Sequence, residues 1–243
     1  MKKDDDMNTN SMKLVDIKEM TGKILLKSGL HIGAGDTEMR IGGTDNPVIK
    51  HPHTLEPYIP GSSLKGKTRS LLELQSGLMG MTDGKPLDIK DYRNLEGKDK
   101  KRCREIIALF GASGADSEDL KEIGPSRLSF ADAPLYDEWK KGAIERNLTF
   151  TEVKSENSIN RIKGTAENPR FTERVPADTV FSFSIVLKVF EGDDGLEELL
   201  LKGLKLLEMD ALGGSGSRGY GRIEFQFDDG AVQQRFQDTN PLS

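Results

Sequence analysis

The sequence predicts an α+β domain whose elements run strand, helix, strand, strand, helix, strand, and three stretches carry that order. Leu196, Leu199, Leu200, Gly203, Leu204 and Leu207 recur at the i, i+3, i+4, i+7 spacing of a helix with one apolar face. Phe181, Phe183, Ile185, Leu187 and Val189 alternate with Ser182, Ser184 and Lys188, the period of a half-buried strand. Ile223, Phe225 and Phe227 repeat that alternation against Arg222, Glu224 and Gln226.

Taken from the N-terminus, residues 1–18 are polar and read as a disordered tail, leaving 19–243 as one domain. The first strand is expected over Lys23–Ile32, where Ile24, Leu26, Leu30 and Ile32 alternate with Lys23, Lys27, Gly29 and His31. A glycine-punctuated loop follows, from Gly33 through Asp36 and Asp45 to Pro47. Long loops inside a domain tend to be functional. Pro60-Gly61-Ser62-Ser63 stops the chain and offers a serine N-cap to the first helix. That helix places Leu64, Thr68, Leu71, Leu72 and Gln75 on one face and Lys65 with Arg69 on another. Gly66 costs the helix about 1 kcal/mol relative to Ala, which favours a close approach there.

Residues 77–125 read as an insertion with a helix over 97–110, and Leu128–Ala131 as a short strand. The stretch from Phe150 to Phe190 begins and ends as strand. Its middle, about 155–175, is basic and breaks at Gly164 and Asn168-Pro169, as a long projecting hairpin would. The whole is the ferredoxin-like (RRM-like) βαββαβ order with a helical insertion and a hairpin thumb. RNA-recognition domains use this arrangement, but a fold does not assign a function.

Composition narrows the classes. No apolar run approaches the roughly 20 residues that span a bilayer, and Met1–Asp6 lacks a secretory apolar stretch, so a cytoplasmic protein without a membrane partner is expected. Cys103 is the single cysteine, which allows no internal disulfide and no cysteine-based zinc site. Net charge is −5, yet charge is uneven: Lys50, Lys65, Lys67 and Arg69 face only Glu56 in their segment.

Gly213-Gly214-Ser215-Gly216-Ser217-Arg218-Gly219-Tyr220-Gly221-Arg222 is the most unusual stretch. Its glycine spacing matches a dinucleotide fingerprint, but that motif needs a strand before and a helix after. Here a helix precedes and a strand follows, so the dinucleotide reading is rejected. What remains is a loop whose backbone N–H groups can cradle phosphate, with Arg218 and Arg222 supplying charge and Tyr220 a stacking or hydroxyl contact. Glycines that merely allow tight packing are the alternative.

This loop resembles that of the RAMP superfamily, the repeat-associated RNA-binding proteins of CRISPR systems. Gly29–Gly33, Ile41–Ile49 and Ile59–Gly66 sharpen the resemblance, which extends through Phe110-Gly111, Arg127–Ala133 and Asn157–Arg174. Together they are similar to the backbone subunits of type III-A (Csm-type) effector complexes.

The resemblance implies copies stacked along a guide RNA, each pushing its thumb between segments of the guide–target duplex. The implied partners are guide RNA, target RNA, other copies of the chain, and further complex members including the large polymerase-like and small subunits. It implies an endoribonuclease that cuts target RNA at regular intervals with a divalent metal, Mg or Mn. The matching catalytic position is Asp45, with Asp36 second in line for the metal. A lone loop carboxylate can help hold an ion or orient a 2′-hydroxyl. Implied RNA contacts are His31, Ser62, Ser63, Lys65, Lys67, Arg69, Arg127, Arg161, Arg170, Gly216, Arg218, Tyr220 and Arg222. Two rivals stand beside this reading: an enzyme that processes precursor guide RNA, and a structural subunit that binds RNA without cutting it.

Overall fold

The structure is a computed structural model describing residues 12–35, 46–112 and 123–242. In chain order its elements are β1 (Leu14–Leu26), α1 (Gly61–Ser76), α2 (Ile89–Asn94), α3 (Gly97–Phe110), β2 (Leu128–Phe130), α4 (Asp137–Glu145), β3 (Glu152–Ile159), β4 (Ala166–Arg174), β5 (Val180–Phe190), α5 (Leu196–Met209), β6 (Ile223–Phe227) and α6 (Gly230–Asp238). One sheet is antiparallel throughout, in the order β2-β5-β1-β6, with β3 and β4 paired as a separate hairpin. The first and third core strands are central, as in the ferredoxin-like arrangement.

Alternation sets the core. Phe181, Phe183, Ile185 and Leu187 of β5 are buried, and the residues between them are not. Ile24 lies beside Phe181 on one flank and Phe225 on the other. Leu64, Thr68 and Leu72 of α1 and Leu200, Leu204 and Leu207 of α5 are buried with them. Each such leucine contributes roughly 1.5–3 kcal/mol. A Cβ on Gly203 would lie 2.7 Å from Thr68 Cγ2, so α5 can approach α1 this closely only with glycine there. Helix α6 ends the chain with Phe236 against Phe225 and Phe227, at ring separations of 6.1 and 5.1 Å.

Several boundaries differ from the sequence expectation. Strand β1 starts at Leu14, so residues 14–18 pair with β5 instead of forming part of a tail. It stops at Leu26, because Leu30 turns away to bridge Val175 and the Ile32 carbonyl accepts the Ile49 N–H. Neither serine caps α1. The N-cap position is Pro60, and the Gly61 N–H is satisfied by Asp132 Oδ1 at 2.8 Å. Gly66 has open space where a Cβ would stand, so none of the described residues approaches it there. Helices α2, α4 and α6 were not expected. The thumb hairpin runs from 152 to 174, over the segment expected near 155–175.

Candidate nucleic-acid interface

The glycine loop, the segment after β1 and the root of the thumb meet at one place. Gly214 N–H donates to the His31 carbonyl at 2.9 Å, and Gly221 N–H to the Gly29 carbonyl at 2.9 Å. A Cβ on Gly213 would lie 2.4 Å from the His31 carbonyl oxygen, and one on Gly221 only 1.9 Å from that of Leu212. Both glycines also have positive φ, a conformation L side chains disfavour. Tight packing therefore accounts for these two. Gly214, Gly216, Ser217, Arg218, Gly219 and Arg222 instead form an exposed rim.

Tyr220 is buried beneath this rim, with its ring covered by Lys154 and Arg174 at 4.7 and 4.9 Å. Its hydroxyl donates to Glu156 Oε1 at 2.9 Å, joining the loop to the thumb. That hydrogen bond, with the Lys154 and Arg218 charges, holds the Glu156 carboxyl below its ordinary pKa. Arg170 is exposed opposite Glu156 in the hairpin register, and Arg161 lies exposed at the turn, where Ile162 is 98% exposed.

His31 stands at the foot of the same hairpin, its Nδ1 2.7 Å from the Glu173 carbonyl oxygen. The buried Glu173 carboxylate accepts from Lys50 Nζ at 2.5 Å and from the Val48 N–H at 3.0 Å. Burial alone would raise this carboxyl. Lys50, with hydrogen bonds from Thr151 and Val48, instead holds it below the usual carboxylate range. These contacts fasten the residues on either side of the segment containing Asp36 and Asp45. Gly33 bridges Val48, Ala34 N–H donates to the Pro47 carbonyl, and Glu173 N–H donates to the Asn46 carbonyl at 3.1 Å. Asp36 and Asp45 themselves lie outside the described residues. Among the described residues no group of three or more metal-binding side chains occurs.

The start of α1 contributes a second basic edge. Ser62 is exposed and Ser63 half-buried. Burial, and then the neighbouring Arg69 charge, lowers the pKa of the Lys65 ammonium. Lys67 pairs with Asp210 at 2.7 Å, three residues before the glycine loop.

With this geometry in hand, the sequence profile of the RAMP superfamily matches residues 23–224. The chain belongs to the RAMP superfamily. Its relatives within that superfamily include the CRISPR system Cms endoribonuclease Csm3 of Methanothermobacter thermautotrophicus, 43% identical over 222 residues and covering 85% of this chain and 82% of the relative. The protein of the same name from Methanocaldococcus jannaschii is 42% identical over 210 residues, covering 85% and 77%. Among solved structures, the Csm3–Csm4 subcomplex of the type III-A CRISPR–Cas interference complex matches with a TM-score of 0.52 at 30% identity, over 88% of this chain and 78% of that one.

In this RAMP chain the structure gathers His31, Gly216, Arg218, Tyr220 and Arg222 around the thumb root. Two of the expected RNA contacts, Arg69 and Arg127, are engaged within the chain, and a third, Tyr220, keeps only its hydroxyl for a ligand. Arg69 is held inside, with Nε on Glu73 at 2.7 Å, Nη1 on the Gly111 carbonyl at 2.9 Å and Nη2 on the Leu87 carbonyl. It pins the insertion to α1. Arg127 is buried against Asp193 and the Ile123 and Pro125 carbonyls. Of the two contacts expected of Tyr220, stacking has no open ring face, because Lys154 and Arg174 lie against it, while the hydroxyl contact stands as an expectation. Sequence reasoning missed Glu173, Glu156 and Lys50. Glu152, Lys154 and Glu156 alternate in charge along β3, which was the available signal for Glu156; Glu173 carries no such pattern.

Proposed function

We propose that this chain is a guide-RNA-binding backbone subunit of a type III-A CRISPR effector complex that also cuts RNA paired to the guide. The observation that carries the reading is the convergence at the thumb root. An exposed glycine rim with Arg218 and Arg222, the fastened residues on either side of the aspartate segment and a basic projecting hairpin share one neighbourhood. Backbone N–H groups and arginines there suit phosphate, which fixes register without reading sequence. The relatives named as Csm3 endoribonucleases support the nuclease half.

On this reading the rim grips the guide backbone and the hairpin separates segments of the guide–target duplex. Asp45 orients a target ribose 2′-hydroxyl or helps hold a divalent ion, with Asp36 the second candidate ligand. One carboxylate plus RNA oxygens suits an ion that keeps several waters, as Mg²⁺ does. Such an ion would stabilise charge developing on the attacked phosphate. Further copies of the chain and other complex members, including the large polymerase-like and small subunits, complete the particle.

The test is purification from cells carrying the complete system. The proposal expects a short RNA of uniform size in the complex, protected from added nuclease by this subunit. Absence of bound RNA from an intact complex would refute it.

A further inference from the structure

Glu156 sits among cations and a hydroxyl donor at the thumb root. Its Oε1 accepts the Tyr220 hydroxyl at 2.9 Å and lies 3.3 Å from Lys154 Nζ, while Oε2 lies 3.3 Å from Arg218 Nε. Arg174 flanks the same phenol ring and is paired to Glu152 at 2.7 Å. Three cations and a hydroxyl donor thus converge on one small area, and two glutamates supply the negative charge.

We propose that the Lys154, Arg218 and Tyr220 donors form a binding site for an RNA phosphodiester, and that Glu156 occupies it in the free protein as an internal stand-in. This rests on the reading that RNA runs over the glycine rim. A carboxylate and a phosphate each present two oxygens about the same distance apart, so one set of donors serves either. A permanent brace would be expected to be short and buried, like the Arg127–Asp193 pair, whose side chains are 3% and 7% exposed. The Glu156 pair differs: Arg218 is 54% exposed, and both ionic contacts are long. Exposed pairs of this kind contribute roughly 0–1 kcal/mol, so exchanging the carboxylate for a phosphate costs little. Tyr220 is well placed to serve both states, since its buried ring fixes the hydroxyl while the partner changes. The consequence is an affinity filter. A bare chain has its cations masked and binds stray RNA weakly. A guide held at several other points supplies the phosphate that displaces Glu156.

Glu156→Gln tests this, because glutamine still accepts the Tyr220 hydroxyl but carries no charge. The full-length purified protein is titrated with a defined single-stranded RNA at several salt concentrations, alongside Arg218→Ala and the double variant. The proposal expects Glu156→Gln to bind about 3–10-fold more tightly at low salt, with a log–log salt slope steeper by about 0.7, as for one more neutralised phosphate. The gain should vanish in the Glu156→Gln/Arg218→Ala double variant. If Glu156→Gln unfolds, Glu156→Thr, which suits a strand, carries the same expectation. Unchanged or weaker binding by a folded Glu156 variant, with Arg218→Ala still weakening the wild type, would overturn the stand-in while leaving RNA at the rim. If Arg218→Ala and Lys154→Ala both bind like the wild type, RNA does not run there, and both readings of this surface fall.

Discussion

Arg127 and Asp193 meet as a fork on a fork: Nε donates to Oδ2 at 2.9 Å and Nη2 to Oδ1 at 3.1 Å. Both side chains are buried, and Asp193 Oδ2 also accepts the Phe190 N–H. The pair ties the entry of β2 to the turn between β5 and α5. Removing one partner of such a pair leaves an uncompensated buried charge, at about 3–5 kcal/mol. Asp193→Ala is therefore expected to lose that much in denaturant unfolding, and Asp193→Asn somewhat less. An unchanged midpoint would contradict the bracing role.

That relationship shows where sequence reasoning ran short. An arginine beside a family motif looks the same in sequence whether it grips RNA or a carboxylate 66 residues away. Strand β5 and helix α5 were legible because each buries one face, which writes a period into the chain. The first half of β1 was not, since Leu14, Val15 and Ile17 are exposed there and leave no buried stripe. Its end was misplaced because Leu30 and Ile32 keep the alternation but bond to other partners, the residues around Val175 and Ile49. Helix α6 is short, nine residues, and its signals were the Asp229 cap and a single buried Phe236. For the site, the glycine loop was readable as unusual, but not which glycines pack and which face solvent.

Glu173 gives a pH-dependent prediction. Its folded-state pKa is depressed, so its stabilisation is full above the ordinary carboxylate range of about 4.3. It is lost as pH falls through the lower folded value. Glu173→Gln is expected to unfold about 1–3 kcal/mol more easily at pH 7, as for a lost charged hydrogen bond. That deficit should shrink below about pH 4. A deficit constant across this window, measured by urea unfolding, would contradict the ion pair with Lys50.

Gly221→Ala places a Cβ against the Leu212 carbonyl at a positive φ. The conformation alone costs about 1–2 kcal/mol, and the overlap adds to it. Thermal unfolding should fall by several degrees and RNA affinity should drop. Gly219→Ala has open space and only the φ penalty, so its smaller loss is the control.

Cys103 is buried, and desolvation together with the nearby Asp91 and Glu73 charges pushes its thiol pKa up to about 12. The thiolate is the reactive form. A thiol reagent at pH 8 should leave the native protein unlabelled and modify it fully in denaturant. Rapid native labelling would mean the insertion opens readily around α3.

The proposed function makes Asp45, in the segment between His31 and Lys50, the residue needed to cut target RNA. The complex is assembled with its guide, mixed with complementary labelled RNA and a divalent ion, and compared with the same complex bearing Asp45→Ala. Removing this one carboxylate should leave assembly and target binding intact, since a carboxylate repels phosphate. The wild type should yield fragments at regular intervals, none after chelation of the ion, and the variant should cut slower by about 100-fold or more. Asp36→Ala should slow cutting less. Undiminished, regularly spaced cleavage by the Asp45→Ala/Asp36→Ala double variant would remove the nuclease role from these two residues.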